Sequence, residues 1–306
     1  MSPRVAHDRP LPPIAPAILA SLYQHRLLST TQLHALHTPD DGLGWTRRVL
    51  RLLSDRELVE RVQTPGTLSH WFLTDAGADA VETAGPRAEP RRRVPTRAQA
   101  EGPLRAHTLA VNDVGVAFVK AAREHGDECS PDSWRHEIAH TISQWRGRRP
   151  TELVIADALL SYLQVDKDGA ITLHQRFIEL DRGTARPAEQ LASKITRYTK
   201  LRYYTPPRTD DRAQEPEPLW RSSYRSFPHL LIVLADQPPQ RIRQRIQRTL
   251  ALHHSDPAKK HLGEIPLSFV LLADLAQQGP FAPIFITAEE PEQPRDWLGQ
   301  PPAQEK

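Results

Sequence analysis

Acidic residues lie on two apolar segments in the middle of the chain. Asp157 interrupts the first apolar run, and Glu179 and Asp181 stand two residues apart near the end of the second. Because successive side chains of a strand point to opposite faces, Glu179 and Asp181 are predicted to share one face. Carboxylates gathered in this way are suited to metal-assisted chemistry on phosphate esters.

Lys194 and Tyr198 follow on the next predicted helix at a spacing of i, i+4, which places both side chains on one surface. Hydrolysis of a phosphodiester needs a divalent metal ion that activates water and neutralises charge on the phosphate, and Mg²⁺ takes one or two carboxylates as ligands. Asp157 and Glu179 are therefore the candidate ligands of Mg²⁺ or Mn²⁺, with Lys194 as the cation beside the attacking water. Glu137, on the preceding strand, is a further acidic candidate.

The same residues also have a structural interpretation. An Asp inside an apolar strand can serve simply as a hydrogen-bond partner of backbone groups. Glu179, Asp181 and Arg182 can form a surface ion-pair network. In a catalytic site, Asp181 is expected either to bind the metal ion or to hold Lys194. Taken singly, the residues favour the structural interpretation, and only their combination favours catalysis. Without an active site, no cofactor is expected.

Strands and a helix are predicted to position these residues. Strands at Leu153–Leu163 and Ala170–Leu180 are joined by a turn at 166–169, and a helix over 187–204 follows. The other elements predicted in this part of the chain are a helix from residue 104, a strand near 134–145, buried strands at 228–236 and 265–274, a basic helix over 239–254 and a short strand at 282–288.

A helix predicted over residues 45–58 has one apolar and one basic face. Its apolar residues fall within an arc of roughly 160° on a helical projection, and they are Val49, Leu50, Leu52 and Leu53. The remaining sector holds Arg47, Arg48 and Arg51. These arginines, together with Thr46, are predicted to contact DNA in the major groove or at its phosphates. A solvated helix face, or a surface for protein contact, is the alternative.

Two short helices precede this basic helix, the second capped by Ser29 or Thr30. Strands at Leu58–Val62 and His70–Leu73 follow it, and then a helix from Thr74. This order predicts a winged helix-turn-helix, and LVERV…HWFLTDAG resembles the wing of bacterial winged-helix DNA-binding proteins. A Pro- and Arg-rich linker comes next, and its phosphate contacts are predicted at Arg91, Arg92 and Arg93.

The composition sets limits on compartment and chemistry. The chain has 306 residues, a net charge of +3 at pH 7 and a single cysteine, Cys129, so no intrachain disulfide can form and a reducing, cytoplasmic compartment is expected. It shows no signal peptide or membrane-spanning run, and no membrane partner is expected. It also lacks the Gly-rich phosphate loop of NTPases and a G-x-S-x-G elbow.

The order helix, three strands, helix, strand over residues 104–275 resembles the core of the PD-(D/E)XK nuclease-like fold. The expected fold class is α+β, with an N-terminal winged helix-turn-helix followed by a PD-(D/E)XK nuclease-like α/β domain with a mixed sheet. The predicted parts are a winged helix at 14–84, a basic linker at 85–103, the nuclease-like domain at 104–288 and a disordered tail at 289–306. In that family a Lys stands two residues after the Glu, where this chain has Asp181. Lys194 and Tyr198 instead resemble the Q-x-x-x-Y motif of its exonuclease branch.

Further motifs resemble those of the replication-relaxation family, over about residues 15–275. They are H-T-L-A-V-N-D at 107–113, A-D-A-L-L at 156–160, F-I-E-L-D-R-G-T at 177–184 and K-I-T-R-Y at 194–198. The resemblance implies a protein of plasmids and integrated mobile elements of high-GC Gram-positive bacteria, associated with replication and DNA relaxation. It implies double-stranded DNA as a partner, with other replication or mobilisation proteins as further candidate partners, and does not by itself imply an active nuclease.

Three functions therefore stay open. The leading hypothesis is a DNA-binding protein of plasmid or mobile-element replication, relaxation or mobilisation. The alternatives are a metal-dependent DNA endonuclease or nickase, and a winged-helix transcription regulator with an inactive nuclease-like domain. The position of Asp157 relative to Glu179 bears on this choice, because carboxylates on opposite sides of a sheet could not share a metal ion.

Overall fold

The computed structural model describes residues 10–63, 69–84, 94–103, 105–142, 145–146, 149–150, 152–183, 188–205, 217–236, 238–259 and 262–301. The chain divides into two compact units. Unit 1 comprises residues 1–124 and 129–133, and unit 2 comprises residues 125–128 and 134–306. Within the described ranges, no helix combines the length and the apolar character needed to cross a membrane.

The described part of unit 1 consists of short helices and one small sheet. Its helices are α1 (Ala15–His25), α2 (Thr30–His37), α3 (Leu43–Asp55), α4 (Asp75–Ala84), α5 (Arg97–Glu101) and α6 (Arg105–His125). Its strands are β1 (Leu28–Ser29), β2 (Val59–Val62) and β3 (His70–Leu73), which form an antiparallel sheet in the order β1-β3-β2. The helices and strands expected over residues 14–84 are present, and the short β1 adds a third strand.

Helix α2 begins at a capping box formed by Ser29. The Ser29 hydroxyl accepts a hydrogen bond from the Gln32 backbone N–H at 3.1 Å, and the Gln32 side chain accepts one from the Ser29 N–H at 2.8 Å. Both donors would otherwise have no partner within the helix. Of the two caps considered from the sequence, Ser29 is therefore the one used.

Helix α6 is fastened to unit 1 by polar side chains. Asn112 donates to the Leu27 carbonyl at 2.8 Å. Gln32 donates to the Asp113 carboxylate at 2.7 Å and to the Leu109 carbonyl at 2.8 Å. These bonds join residues about 80 positions apart, a distance over which sequence patterns carry no information. They explain why α6 belongs to unit 1, although the sequence-based boundaries place it at the start of the 104–288 domain.

Gly77 lies where α4 meets the start of β2. A Cβ atom at this position would lie 2.0 Å from the Leu58 carbonyl oxygen, which already accepts a hydrogen bond from the Thr74 N–H. We expect Gly77→Ala to lower the free energy of unfolding by about 2 to 3 kcal/mol, because backbone must move to relieve the clash.

Urea unfolding of the full chain measures this effect, and Gly44→Ala is the matched control. Gly44 lies in α3 and has no neighbouring atom within 4 Å of an added Cβ. Alanine should stabilise that helix position by about 0.5 to 1 kcal/mol. Equal effects of the two substitutions would contradict the close approach at Gly77.

The described part of unit 2 is built on a mixed sheet of six strands. The strands of this unit are β4 (Trp134–Thr141), β5 (Trp145–Arg146), β6 (Arg149–Pro150), β7 (Leu153–Val165), β8 (Ile171–Asp181), β9 (His229–Leu234), β10 (Leu267–Leu271) and β11 (Ile286–Thr287), of which β5 and β6 form a separate two-stranded sheet. Its helices are α7 (Ala188–Tyr203), α8 (Pro239–Ser255) and α9 (Leu272–Gln278). The sheet order is β11-β10-β9-β8-β7-β4, with β9 parallel to β8 and β10 and the other neighbours antiparallel. The fold class is α+β.

One face of this sheet is covered by α7 and α8. Ile195 of α7 and Ile246 of α8 share a buried cluster with Phe177 of β8. Because strand side chains alternate, Glu179 and Asp181 lie on the same face as Phe177 and point towards these helices. The predicted pairing of Glu179 and Asp181 on one face is confirmed.

Residues 289–301 contact the rest of unit 2 through Trp297, whereas the sequence predicts a disordered tail at 289–306. The Trp297 side chain is buried, and the Arg176 guanidinium lies 4.9 Å from the centre of its ring. Arg176 also donates to the Trp297 carbonyl at 3.0 Å. A single large apolar side chain thus anchors a segment whose average composition is polar. Residues 302–306 lie outside the described part of the chain.

Candidate functional site

The three arginines predicted to contact DNA are exposed on α3. Arg47, Arg48 and Arg51 form no ion pair with an acidic side chain in the described parts of the chain. The opposite side of α3 is anchored in the core by Val49, Leu50 and Leu53. The helix therefore presents uncompensated positive charge to solvent on a fixed support.

Thr46 does not belong to this exposed surface. Its side chain is fully buried, and its hydroxyl contacts the Thr38 hydroxyl at 2.7 Å and the His34 Nδ1 atom at 3.1 Å. Thr46 therefore joins α3 to the end of α2, and its prediction as a DNA contact is wrong for this arrangement. Of the other predicted contacts, Arg91, Arg92 and Arg93 lie outside the described residues.

The acidic residues of unit 2 meet at the ammonium group of Lys194. The register of β7 and β8 places Asp157 beside Glu179 on adjacent strands. From α7, the Lys194 ammonium group forms ion pairs with Glu179 Oε2 and, at 3.7 Å, with Asp157 Oδ1. Asp157, Glu179 and Lys194 thus lie together as the sequence pattern predicts, and we refer to them as the acidic cluster.

Further donors hold the carboxylates of the acidic cluster. Tyr198, one turn after Lys194, donates its hydroxyl to Glu179 Oε1 at 2.5 Å. Asp157 Oδ2 accepts the backbone N–H of Leu180 at 2.8 Å, so a side chain takes the place of a strand partner there. The i, i+4 spacing predicted to bring Lys194 and Tyr198 to one surface is confirmed by their shared partner, Glu179.

Asp181 belongs to a separate ion pair on the same face. Its Oδ2 atom accepts from Arg245 of α8 at 2.6 Å, and its Oδ1 atom accepts the Gly183 N–H at 2.9 Å. Arg182 pairs with Asp236 at 2.7 Å. Asp181 thus pairs with Arg245 rather than with Lys194 as expected, and its role as a metal ligand stays a prediction. The sequence does not predict a role for Arg245, because nothing in α8 indicates that the partner of this arginine is Asp181, 64 residues earlier.

Glu137 lies on β4 between His136 and Ile138, whose partners on β7 are the two neighbours of Asp157, Ala158 and Ala156. Its backbone has a positive φ of 54°, which is rare in the middle of a strand, and its side chain is exposed. The structure therefore places Glu137 at the same level of the sheet as the acidic cluster but leaves it open to solvent.

The acidic cluster does not fit a metal site as it is arranged. Every carboxylate oxygen of Asp157, Glu179 and Asp181 faces a donor or a cation of the protein. Among the described residues, no group of three or more His, Cys, Asp or Glu side chains is placed to hold a metal ion. The role of Asp157 and Glu179 as metal ligands stays a prediction that would require Lys194 to move.

Burial gives the cluster unusual proton affinities. Loss of solvent raises the pKa of the Glu179 carboxyl to about 8, and the Asp157 carboxylate beside it adds to this rise against the opposing effects of Lys194 and Tyr198. Burial also raises the pKa of the Tyr198 hydroxyl well above its ordinary value, helped by the charge of Glu179. Glu179 therefore exchanges a proton near neutral pH, and Tyr198 remains a hydrogen-bond donor.

The raised pKa of Glu179 predicts a dependence of stability on pH. Its folded pKa lies above the unfolded value of 4.5, so between these values the folded chain binds more protons than the unfolded chain. The free energy of unfolding should therefore fall as pH rises, by about 1 kcal/mol from pH 7 to pH 8. Urea unfolding at the two values measures it, and Glu179→Gln should remove this part of the slope. A Gln variant with the wild-type slope would contradict the prediction.

A shallow cleft of about 590 Å³ gives access to Lys194. Leu153 and Ile155 of β7 lie on one side of it and are unusually exposed, at 38% and 48%. Arg197 and Glu189 of α7 line the other side with Lys194. Lys194 is the member of the acidic cluster that lines this cleft.

Comparison with known proteins supports the family suggested by the motifs. The family model described as replication-relaxation matches residues 19–213, which is more than half of the chain and ends before β9. Neither the curated proteins nor the solved structures contain a significant match to the chain. The matched span contains both α3 with its arginines and the whole acidic cluster. The chain belongs to the replication-relaxation family.

Proposed function

We propose that this protein binds duplex DNA in the replication or relaxation of a plasmid or mobile element. The observation that carries the proposal is the set of exposed arginines on α3, Arg47, Arg48 and Arg51, which have no acidic partner among the described residues. Arginine is the side chain best suited to phosphates and to guanine edges. Membership in the replication-relaxation family supports the biological setting.

Unit 1 is proposed to act as a winged helix-turn-helix. Helix α3 has 13 residues and is about 20 Å long, a size that fits the major groove of B-form DNA. The antiparallel β2 and β3 strands follow it in the position of a wing. The linker arginines Arg91, Arg92 and Arg93 are proposed to add contacts to neighbouring phosphates.

Binding of the full chain to fluorescently labelled duplex DNA tests this proposal. We expect the logarithm of the association constant to fall steeply and linearly with the logarithm of salt concentration, since phosphate contacts release counterions. Absence of binding at about 50 mM salt would overturn the proposal. Binding confined to one short sequence, without any effect on plasmid replication, would instead favour a transcription regulator.

Unit 2 is proposed to have the PD-(D/E)XK nuclease-like fold without acting as a metal-dependent nuclease. Asp157, Glu179 and Lys194 converge on one face of a mixed sheet, which supports the fold assignment. The engagement of their charged groups with one another supports a stabilising role over a catalytic one. The proposed role of unit 2 is therefore that of a non-catalytic scaffold in the process that unit 1 targets.

Cleavage assays separate this proposal from the nuclease alternative. We expect supercoiled, linear and single-stranded DNA to remain intact with the wild-type protein across titrations of Mg²⁺ and Mn²⁺. Nicking that disappears in both Asp157→Ala and Glu179→Ala, while DNA binding persists, would establish the endonuclease or nickase instead.

A further inference from the structure

A polar pocket of about 290 Å³ lies in unit 1 between α3 and the β2–β3 strands. The residues that line it are Thr30, Arg47, Arg51, Arg61, Ser69 and Trp71. Of these lining residues in the described part of the chain, half are arginines and none is acidic. A pocket of this composition favours an anion.

The three arginines reach the pocket from two different elements. Arg47 and Arg51 are one helical turn apart on α3, and Arg61 lies on β2 opposite Trp71 of β3. None of the three forms an ion pair with an acidic side chain of the described residues. The neighbouring Glu60 is paired instead with Arg97 at 3.3 Å. The positive charge of the pocket is therefore uncompensated.

Hydrogen bonds hold the other side of the pocket. Trp71 Nε1 donates to the Thr30 hydroxyl at 2.9 Å, and this hydroxyl donates to the Ser69 carbonyl at 3.3 Å. The Thr30 N–H also donates to the same carbonyl at 3.1 Å. These bonds occupy the donors of Thr30 and Trp71, and the guanidinium groups supply charged donors for a ligand.

We propose that this pocket holds one phosphate of the DNA backbone, bound by Arg47, Arg51 and Arg61 together. Guanidinium groups bind phosphate oxygens through paired, charge-assisted hydrogen bonds, and three of them can surround one tetrahedral anion. The inference rests on the proposed DNA binding. It names a backbone phosphate as the group recognised in this pocket, and it adds Arg61 of β2 to the arginines of α3 as a contact. Arg48 lies apart from the pocket, with its guanidinium 5.3 Å from the centre of the Trp45 ring.

A double-mutant cycle on the full chain tests whether one phosphate is shared. Arg51→Ala and Arg61→Ala should each weaken binding to a mixed-sequence duplex about 10-fold, and the double variant should lose little more than either single variant. The slope of log association constant against log salt should fall by about 0.9, the value for one phosphate, in all three variants. Arg48→Ala combined with Arg61→Ala should show additive losses.

Several outcomes would overturn the shared-phosphate pocket. Additive losses for Arg51→Ala and Arg61→Ala, with a slope reduced by about 1.8, would show two separate phosphate contacts. Binding unaffected by Arg61→Ala would remove the pocket while leaving DNA binding by α3 intact. If Arg61→Ala weakens binding only to duplexes that carry 5′-phosphates, the ligand of the pocket is a terminal phosphate and not one of the DNA backbone. No binding by the wild-type protein would instead reject the proposed function itself.

The control for the loss of one positive charge is Arg225→Ala, which replaces an exposed arginine in unit 2.

Discussion

Joint replacement of Arg47, Arg48 and Arg51 by alanine should weaken duplex-DNA binding by about 100-fold at moderate salt. The side chains are exposed and contribute nothing to the core, so the substitutions remove positive charge without disturbing the support beneath. Alanine also has a high helix propensity, which keeps α3 intact. Fluorescence anisotropy with the full chain measures the change, and the salt dependence should become shallower in parallel.

The matched control for this variant is the joint replacement of Arg225, Arg241 and Arg243 by alanine. These arginines are exposed in unit 2, and their replacement removes the same net charge as the α3 variant. If overall charge alone drives association, both triple variants lose equal affinity. A loss confined to the α3 variant supports contact through α3, and an α3 variant with wild-type affinity would reject it.

Replacement of Lys194 by methionine should lower the free energy of unfolding by about 3 to 5 kcal/mol at pH 9, above the pKa of Glu179. The side chains of Asp157 and Glu179 are only 15% and 3% exposed, and Lys194 is the cation that both contact. Methionine keeps most of the side-chain volume but leaves two adjacent carboxylates without that charge. Burial of uncompensated charge is among the most destabilising changes in a protein.

Two further variants isolate this charge effect. Lys200→Met alters the same helix, but Lys200 and its partner Glu152 are each 34% exposed, so the loss should stay below about 1 kcal/mol. Adding Glu179→Gln to Lys194→Met should recover part of the stability, because one of the two negative charges is removed. The deficit of Lys194→Met should also shrink at lower pH, where Glu179 binds a proton. Urea unfolding that shows equal losses for Lys194→Met and Lys200→Met would contradict the prediction.

The acidic cluster has a structural role within unit 2, where it helps to hold helices to the sheet. Lys194 and Tyr198 link α7 to β8 through Glu179, and Arg245 links α8 to the same strand through Asp181. The two helices are thus held to one strand by buried polar contacts as well as by apolar packing. The same contacts account for the difficulty of placing a metal ion there.

Local patterns in the sequence were sufficient for most of the elements. The amphipathic period of α3 separated its arginines from Val49, Leu50 and Leu53, and the alternation along β8 placed Glu179 and Asp181 on one face. Capping, helix periodicity and strand alternation depend on residues a few positions apart. The local sequence is therefore enough to predict them. Shorter pieces such as β1 and β11, with two residues each, are too short for any period to show.

Contacts between distant parts of the chain were decided by the tertiary structure. The sequence alone determined that Asp157, Glu179 and Lys194 would lie on adjoining elements, but only folding showed that the ammonium group contacts both carboxyl groups. The pairing of Asp181 with Arg245, the burial of Thr46 and the convergence of Arg61 with Arg47 and Arg51 likewise depend on packing. The physical reason is that ion pairing and burial depend on distances in space, which side chains acquire only when separate elements pack together.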